Sequence, residues 1–210
     1  TVPWRLPKRC VTFWALAMTT TDSGVPHVHA ELLVASDSHI QRCAQALKQG
    51  LLVAFPTETV FGLGAAVTQL VAIEGIFKAK GRPSEHPLIA HVAPGAELTG
   101  WVAEVTPTMQ KLIDAFWPGP LTLVLKKRNS ISDLVTGGKD TVAVRIPNHP
   151  LTLDLLSKLD FPLAAPSANP FGSISPTTAE HVANYFPNTL PLVLDGGNCE
   201  NGIESTIIGF

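Results

Sequence analysis

Short apolar runs that end at a proline, a glycine or a polar turn recur along this chain, and they restrict its fold more than any other feature. The runs at 51–55, 88–92 and 142–146 are five residues long, a length typical of buried β-strands. Segments with apolar residues at helical spacing lie between them, and alternating strands and helices predict an α/β domain. The complete prediction has helices at 36–48, 67–78, 106–116, 150–159 and 175–182, and further strands at 121–125, 163–165, 192–194 and 206–208.

The charge balance argues against a protein whose main task is to grip phosphate backbones. The 210 residues include 15 Lys or Arg and 17 Asp or Glu, a formal net charge of −2 at pH 7, whereas such proteins are usually basic overall. A local basic site is compatible with this balance. Cys10, Cys43 and Cys199 form no C-x-x-C pair, so they predict neither a disulfide framework nor a zinc knuckle and fit a reducing compartment.

Residues 1–30 show no sustained periodicity, and we predict an N-terminal extension there, either disordered or with a targeting role, before one domain at 31–210. An apolar stretch at 10–18 follows three basic residues, which resembles a signal peptide. The alternative is that the natural chain starts at Met18. No apolar run is long enough to span a bilayer. The chain stops at Phe210 inside a predicted strand, so we expect the domain to be truncated at its C-terminus.

The first polar segment that could carry chemistry, residues 55–64, leaves a predicted strand with two threonines and a glutamate and enters what we predict to be a glycine turn at 62–64. Ligands of α/β sheets bind at such strand ends. The two glycines suggest a dinucleotide-binding turn, but Val67 stands where the third glycine is needed, and no G-K-[ST] phosphate loop occurs. The alternative is a strand exit capped by polar residues without a ligand.

Three cations stand at alternate positions in the second segment, namely Lys78, Lys80 and Arg82. Residues two apart do not share a helix face, but they would share one side if the chain left the helix near Lys78 and ran extended. That arrangement would form a cationic clamp for a polyphosphate, with Arg82 making bidentate contacts and Lys80 acting as a point charge. A solvated helix end is the alternative.

The third segment places Arg145 inside an apolar strand. A buried arginine is costly unless it meets an anion, and strand alternation puts Thr141 on the same face, so the two side chains could share a ligand. The alternative is a structural ion pair with Asp140 or Asp195.

The fourth segment, residues 164–177, combines small residues that permit close backbone approach with hydroxyl groups. Ser175 stands at the predicted start of a helix, where backbone N–H groups can receive phosphate. A last segment at 195–206 has a similar composition and contributes further hydroxyls.

Together, these segments resemble the YrdC-like threonylcarbamoyl-AMP synthases. The resemblance covers about residue 36 to the C-terminus. The matching stretches are FPTETVFGLGA, KAKGRP with HPLIAHV, FWPGPLTLVLKK, DTVAVRIPNHP, PLAAPSAN with SISPTTAEHV, and DGG with GIESTI.

The resemblance implies one YrdC-like domain, a twisted mixed sheet flanked by helices with a concave cationic cleft. It also implies a nucleotidyl transfer from L-threonine, bicarbonate and ATP. Bicarbonate and the threonine amine give a carbamate, whose oxygen attacks the α-phosphorus of ATP and releases pyrophosphate. Mg²⁺ is expected with the ATP phosphates, without a direct protein ligand. A partner enzyme then transfers the group to tRNA, which this chain itself binds weakly or only through that partner.

The resemblance also implies roles for individual residues, in two sets. Lys80 and Arg82 are expected to be catalytic through their contacts with the phosphates. Residues expected to bind ATP are Lys80, Arg82, His86, Thr141, Ser167, Asn169 and Ser175, and those expected to bind L-threonine are Thr57, His91, Arg145, Ala165 (through its backbone) and Ser205.

Some positions depart from the family pattern. Phe55 and Phe61 stand where tyrosine is often found, and His86 replaces a common asparagine. An Arg-Pro-Gly segment that helps to hold ATP in the family is expected beyond Ser205 but is not present before Phe210. We therefore expect weak ATP binding or inactivity of the chain as given.

Two other functions are compatible with a cationic cleft. One is a module that binds double-stranded RNA or tRNA without catalysis, which the net charge disfavours. The other is a carbamoyl-transfer module for metallocentre maturation, whose relatives carry zinc-type cysteine pairs that this chain lacks. Since the reaction needs ATP, we expect a cytoplasmic protein with no membrane partner, and we favour the start at Met18.

Overall fold

A nine-stranded mixed sheet forms the centre of the protein. The resemblance implied a mixed sheet, and the sequence predicted seven of its strands. The computed structural model describes the backbone of residues 18–19 and 27–28, and the full residues 30–187, 190 and 192–210. The predicted extension at 1–30 lies almost entirely outside these ranges. The strands are β1 (Met18–Thr19), β2 (His27–Val28), β3 (Glu31–Val34), β4 (Val53–Phe55), β5 (Gly62–Ala66), β6 (Ile89–His91), β7 (Leu121–Lys126), β8 (Thr141–Arg145), β9 (Leu163–Ala164), β10 (Leu192–Asp195) and β11 (Thr206–Gly209); the helices are α1 (Asp37–Lys48), α2 (Leu70–Lys80), α3 (Pro107–Phe116), α4 (Asp133–Thr136), α5 (Pro150–Ser157) and α6 (Ala179–Tyr185).

The strand order is β11-β7-β8-β6-β9-β5-β4-β10-β3, and β1 pairs with β2 separately. β10 runs parallel to both β3 and β4, β6 runs parallel to β8, and β11 runs parallel to β7. The remaining pairs, β4 with β5, β5 with β9, β6 with β9 and β7 with β8, are antiparallel. The short strand β9 therefore lies between β5 and β6 and brings the segment that follows it to the middle of the sheet.

Helices cover both faces of the sheet, and each face has its own apolar core. On one face, Val53 and Phe55 of β4 pack with α1 and α5, whereas Ala54 belongs to the core on the other face, with α2, α3 and α6. The period of two along β4 explains this division. Ser36 caps α1, its side chain accepting from the His39 N–H at 3.2 Å. No helix in the described ranges has the length and apolar content needed to cross a membrane.

The predicted glycine turn at 62–64 is wrong, because these residues belong to β5. Phe55 lies opposite Gly62 in the β4–β5 register, and its ring occupies the space beside Gly62 and Gly64. A Cβ atom on Gly64 would lie 2.5 Å from Phe55 Cε1, and one on Gly62 would lie 3.2 Å from Phe55 Cε2. The glycines are therefore needed for close packing in a strand, not for a turn.

Replacing Gly64 with alanine is expected to lower the free energy of unfolding by about 1–3 kcal/mol, because a fully buried ring must shift to admit the new methyl group. The matched control is Gly209→Ala in β11, where nothing lies within 4 Å of the added atom. Chemical denaturation of the parent and both variants measures the difference. Equal stabilities for the two variants would contradict this packing explanation.

Two further boundaries differ from the prediction and affect the site. α2 continues through Lys80 and ends where Gly81 adopts φ 61°, a left-handed conformation that suits glycine. The extended run from Lys78 is therefore wrong: Lys78 is exposed and Lys80 is buried. α6 begins at Ala179 because the Thr178 side chain accepts from the His181 N–H at 3.2 Å, so Ser175 does not stand at a helix N-terminus.

Candidate active site

The loop between β4 and β5 is the first part of the site, and Thr57 organises it. The Thr57 hydroxyl donates to the Val60 carbonyl at 2.6 Å and accepts from the N–H groups of Thr59 and Val60 at 3.2 Å. These bonds close a tight polar turn, and Thr57 itself is buried, with 2% of its surface exposed. The residue predicted to meet threonine thus shapes the loop that carries Glu58 and Thr59.

Arg145 ends β8 and points into this loop. Its Nε donates to the Gly119 carbonyl at 3.1 Å, and Nη1 and Nη2 both donate to Thr59 Oγ1 at 3.1 Å. Nη2 also lies 2.7 Å from Glu58 Oε1 in an ion pair in which both side chains are about 95% buried. The alternative ion pairs with Asp140 or Asp195 are therefore wrong: the counter-ion comes from the β4–β5 loop.

Glu58 and Thr59 are site residues that the sequence prediction did not assign. Glu58 Oε2 accepts from the Asn148 N–H at 2.9 Å, so the carboxylate ties the β4–β5 loop to the chain after β8. Their backbone carbonyls also accept from Asn201 at 2.8 Å and Gly202 at 3.0 Å. A carboxylate among strand-end hydroxyls, in a chain with an arginine inside an apolar strand, was the signal that could have identified Glu58.

His91 stands next to Arg145 in the parallel register of β6 and β8. His91 is 3% exposed, and its Nδ1 lies 3.3 Å from the Ile89 carbonyl oxygen. Its ring packs edge-to-face with Phe55, with 6.1 Å between the ring centroids. Burial, and secondly the positive charge of Arg145, lower the pKa of His91 to about 3. His91 is therefore neutral at physiological pH, which suits hydrogen bonding and shape rather than proton transfer.

This depressed pKa predicts a loss of stability in mild acid. In the unfolded chain His91 has its ordinary pKa of 6.5, whereas in the folded protein its pKa is about 3. The contribution of neutral His91 to the free energy of unfolding is complete above pH 6.5. It is lost as the pH falls below that value, by at most about 1.4 kcal/mol per pH unit. His91→Gln should flatten the dependence measured by denaturation between pH 7 and 5. His149, whose pKa burial also lowers, leaves a residual slope. The exposed His181→Gln is the control, and an unchanged slope in His91→Gln would contradict the assignment.

Lys80 lies under the segment that follows β9. Its Nζ donates to the Ser167 carbonyl at 2.5 Å and to the Asn169 carbonyl, and the residue is 3% exposed. Burial, and secondly the charge of Arg82, lower its pKa to about 8. Lys80 therefore holds the loop that carries Ser167 and Asn169, and one of its three N–H donors remains for a ligand. Asn169 Oδ1 is buried and has no hydrogen-bond partner within the described part of the chain.

Arg82 follows Gly81 and stacks on Phe171, with its guanidinium carbon 5.7 Å from the ring centroid. Its Nη2 donates to the Pro87 carbonyl at 3.1 Å, and its buried Nε has no hydrogen-bond partner among the residues that the structure describes. His86 packs against the same ring at 5.1 Å between centroids. Phe171 is thus a third residue that sequence analysis missed. It gave no signal, because its role depends on a backbone bond to the Lys80 carbonyl at 2.7 Å.

The other predicted residues are placed around these groups. The Ser175 hydroxyl donates to Glu204 at 2.5 Å, and the hydroxyls of Ser205 and Thr122 are 2.7 Å apart. The N–H of Ala165 donates to the Ile89 carbonyl at 2.9 Å, so only its carbonyl could contact a ligand. Thr141 shares a face with Arg145 but starts the strand that Arg145 ends, about 13 Å away, so the two cannot hold the same small group.

The structure connects the β4–β5 loop directly to the segment after β9 and to the one before β11. Gly62 and Ser167 form an isolated bridge, and the Ala168 N–H donates to Phe61 at 2.8 Å. Arg145, His91 and Thr57 form one centre, and Lys80, Arg82, His86, Ser167 and Asn169 form another beside it. In the ranges that the structure describes, no three His, Cys, Asp or Glu side chains gather as a metal site.

Comparison with known proteins gives a consistent result. The Sua5/YciO/YrdC family model, described as "Telomere recombination", matches residues 45–210. A threonylcarbamoyl-AMP synthase of Pyrococcus abyssi is 47% identical over 169 residues, which are 80% of this chain and 50% of that protein. One of Vibrio vulnificus is 39% identical over 161 residues, 76% of this chain and 87% of that protein.

A solved structure of P. abyssi Sua5 complexed with L-threonine superposes with a TM-score of 0.84 and 43% identity. It is matched over 86% of this chain and 54% of that protein. The chain thus spans about half the length of the first curated relatives that it matches.

Proposed function

The chain belongs to the Sua5/YciO/YrdC family, and from this premise we propose that it is a threonylcarbamoyl-AMP synthase domain. It forms threonylcarbamoyl-adenylate and pyrophosphate from L-threonine, bicarbonate and ATP, a nucleotidyl transfer that prepares the group for tRNA. The observation that carries the proposal is the buried Arg145 centre, at the strand ends of a fold that matches a threonine-bound Sua5.

L-Threonine binds at the Arg145 centre in this proposal. The guanidinium offers the remaining N–H of Nη1 to the carboxylate, since charge-assisted bonds to arginine are strong and directional. Neutral His91 and the carbonyl of Ala165 surround the rest of the amino acid. Ser205, 2.7 Å from Thr122 between hydroxyls, closes the site from the C-terminal segment.

ATP binds beside it, along the loop at 167–169 and Arg82. Attack on the α-phosphorus requires positioning and charge neutralisation but no covalent nucleophile. Arg82 and Lys80 supply positive charge, and Ser167, Asn169, His86, Thr141 and Ser175 supply polar contacts. Mg²⁺ is carried by the ATP phosphates, whose oxygen atoms it prefers as ligands. The carbamate oxygen then forms the new bond to phosphorus as the bond to pyrophosphate breaks. We place this reaction in the cytoplasm and its product with a separate transferase acting on tRNA.

The test is incubation of the chain with Mg²⁺, labelled bicarbonate, L-threonine and a large excess of ATP, because weak ATP binding is expected, followed by mass detection of an adenylate that contains the label. Omission of threonine, bicarbonate or Mg²⁺ should each abolish both the adenylate and pyrophosphate release. Pyrophosphate release that persists without threonine would exclude the reaction. RNA binding with steep salt dependence and no ATP turnover would favour the non-catalytic alternative.

A further inference from the structure

The charge of Arg145 is already balanced inside the protein. Glu58 Oε1 lies 2.7 Å from Arg145 Nη2, and each side chain is about 95% buried. In the described surroundings, Thr59 and Gly119 contribute neutral acceptors and neutral His91 stands alongside. The centre that receives the substrate carboxylate therefore has no net charge, although it contains an arginine.

Glu58 is also incompletely satisfied. Its Oε2 accepts from the Asn148 N–H, whereas Oε1 has the guanidinium of Arg145 2.7 Å away and no aligned hydrogen-bond donor among the described residues. A buried carboxylate oxygen normally has a donor. An amino group arriving with the substrate would supply one.

Three of the five N–H groups of Arg145 are directed to Thr59 and Gly119. Nη2 already contacts Glu58 Oε1 at 2.7 Å, so a ligand carboxylate must use the remaining N–H of Nη1 and share the guanidinium with Glu58. A simple anion would then place two carboxylates against one buried cation, which like-charge repulsion and burial both disfavour. A zwitterion brings its own positive charge and keeps the total balanced.

We propose that Glu58 determines substrate specificity by making the Arg145 centre select zwitterionic amino acids and reject carboxylates that lack the amine. This inference rests on the proposed function, because it takes the amino-acid substrate from it. Selection operates by a repulsive element built into the free site, which is how many sites discriminate between ligands with a common group.

The experiment is titration calorimetry with two ligands, L-threonine and its deaminated analogue, in which a hydroxyl replaces the amino group. The parent should bind threonine at least tenfold more tightly than the analogue. In Glu58→Gln, which keeps the shape and an acceptor for Asn148, this ratio should fall at least tenfold through weaker threonine binding and tighter analogue binding. A purely structural role would weaken both ligands by the same factor and leave the ratio unchanged, and that result would overturn the inference.

The matched control is Asp195→Asn at the end of β10. This carboxylate accepts from the Gly197 N–H at 3.0 Å, a bond that asparagine can keep. Its neutralisation should leave the ligand ratio at the parental value. A ratio that falls equally in both variants would show a general field effect and contradict a specific role of Glu58.

The parent alone gives a second measurement should Glu58→Gln fail to fold. If the parent binds the analogue as tightly as threonine, the inference is wrong whatever the variant does. The proposed function is tested separately, since a parent that makes the adenylate yet shows no preference overturns only the role of Glu58. A parent that neither binds threonine nor makes the adenylate overturns the function itself.

Discussion

Replacing Arg145 with methionine is expected to lower the free energy of unfolding by about 3–5 kcal/mol, the typical cost of breaking a buried ion pair from one side. Glu58 would keep a carboxylate in the interior without its cation, and the carbonyl of Gly119 and the hydroxyl of Thr59 would lose their donors. Threonine binding should fall at least a hundredfold, since the substrate carboxylate loses its partner. Chemical denaturation and calorimetry measure the two effects.

Arg42 and Glu31 provide a control with the same chemistry and the same distance, because this pair is also 2.7 Å apart but each side chain is 42% exposed. Solvent screens such a pair, so Arg42→Met should cost no more than about 1 kcal/mol. The double variant Arg145→Met/Glu58→Gln should recover much of the stability lost in Arg145→Met, because it removes the unpaired charge. Equal losses for the two arginine variants would show that burial of the pair does not govern its contribution.

Replacing Arg82 with alanine is expected to weaken ATP binding tenfold to hundredfold, corresponding to about 1.5–3 kcal/mol for one charge-assisted contact. The guanidinium is half-buried and lies over Phe171, and its buried Nε has no partner in the described ranges, so one donor is left for a ligand. The stability of the fold should change little by comparison, because Arg82 contributes one described hydrogen bond, to Pro87.

Nucleotide titration of Arg82→Ala and of Arg42→Ala, which removes an arginine from α1, separates a local contact from a general effect of charge. ATP affinity at the parental level in Arg82→Ala would contradict the assignment of Arg82 to the phosphates. A similar loss in both variants would point to long-range attraction instead.

Local patterns predicted most of the elements. The apolar run before Pro56 became β4, and the spaced apolar residues after Ser36 became α1, because period and capping are properties of neighbouring residues. The same reasoning failed at 62–64, where glycine in a turn and glycine under an aromatic ring look alike in one dimension. It also missed β3 and α4, which are short and take their stability from neighbours.

The position of Lys80 illustrates a different limit. The spacing of the cations indicated an extended chain with Lys78 and Lys80 on one side. Instead α2 continues through Lys80, which points inward to the Ser167 carbonyl, whereas Lys78 is exposed. Only the left-handed Gly81 and the segment after β9 decide this direction. The assignment of Lys80 to the phosphates therefore stays a prediction, whereas the predicted direction of its side chain was wrong.

The sequence by itself determined the alternation of elements, the presence of an arginine that needs an anion, and the set of hydroxyls and cations near strand ends. Only the tertiary structure decided that this anion is Glu58, that the Thr57 hydroxyl bonds within its own turn, and that Arg82 lies over the ring of Phe171. The physical reason is that hydrophobic period and capping act over a few residues, whereas the partner of a buried charge is chosen by strand order. Arg145 at the end of β8 contacts Thr59 in the loop after β4, although the two residues are 86 positions apart in the chain. No local sequence pattern encodes this contact.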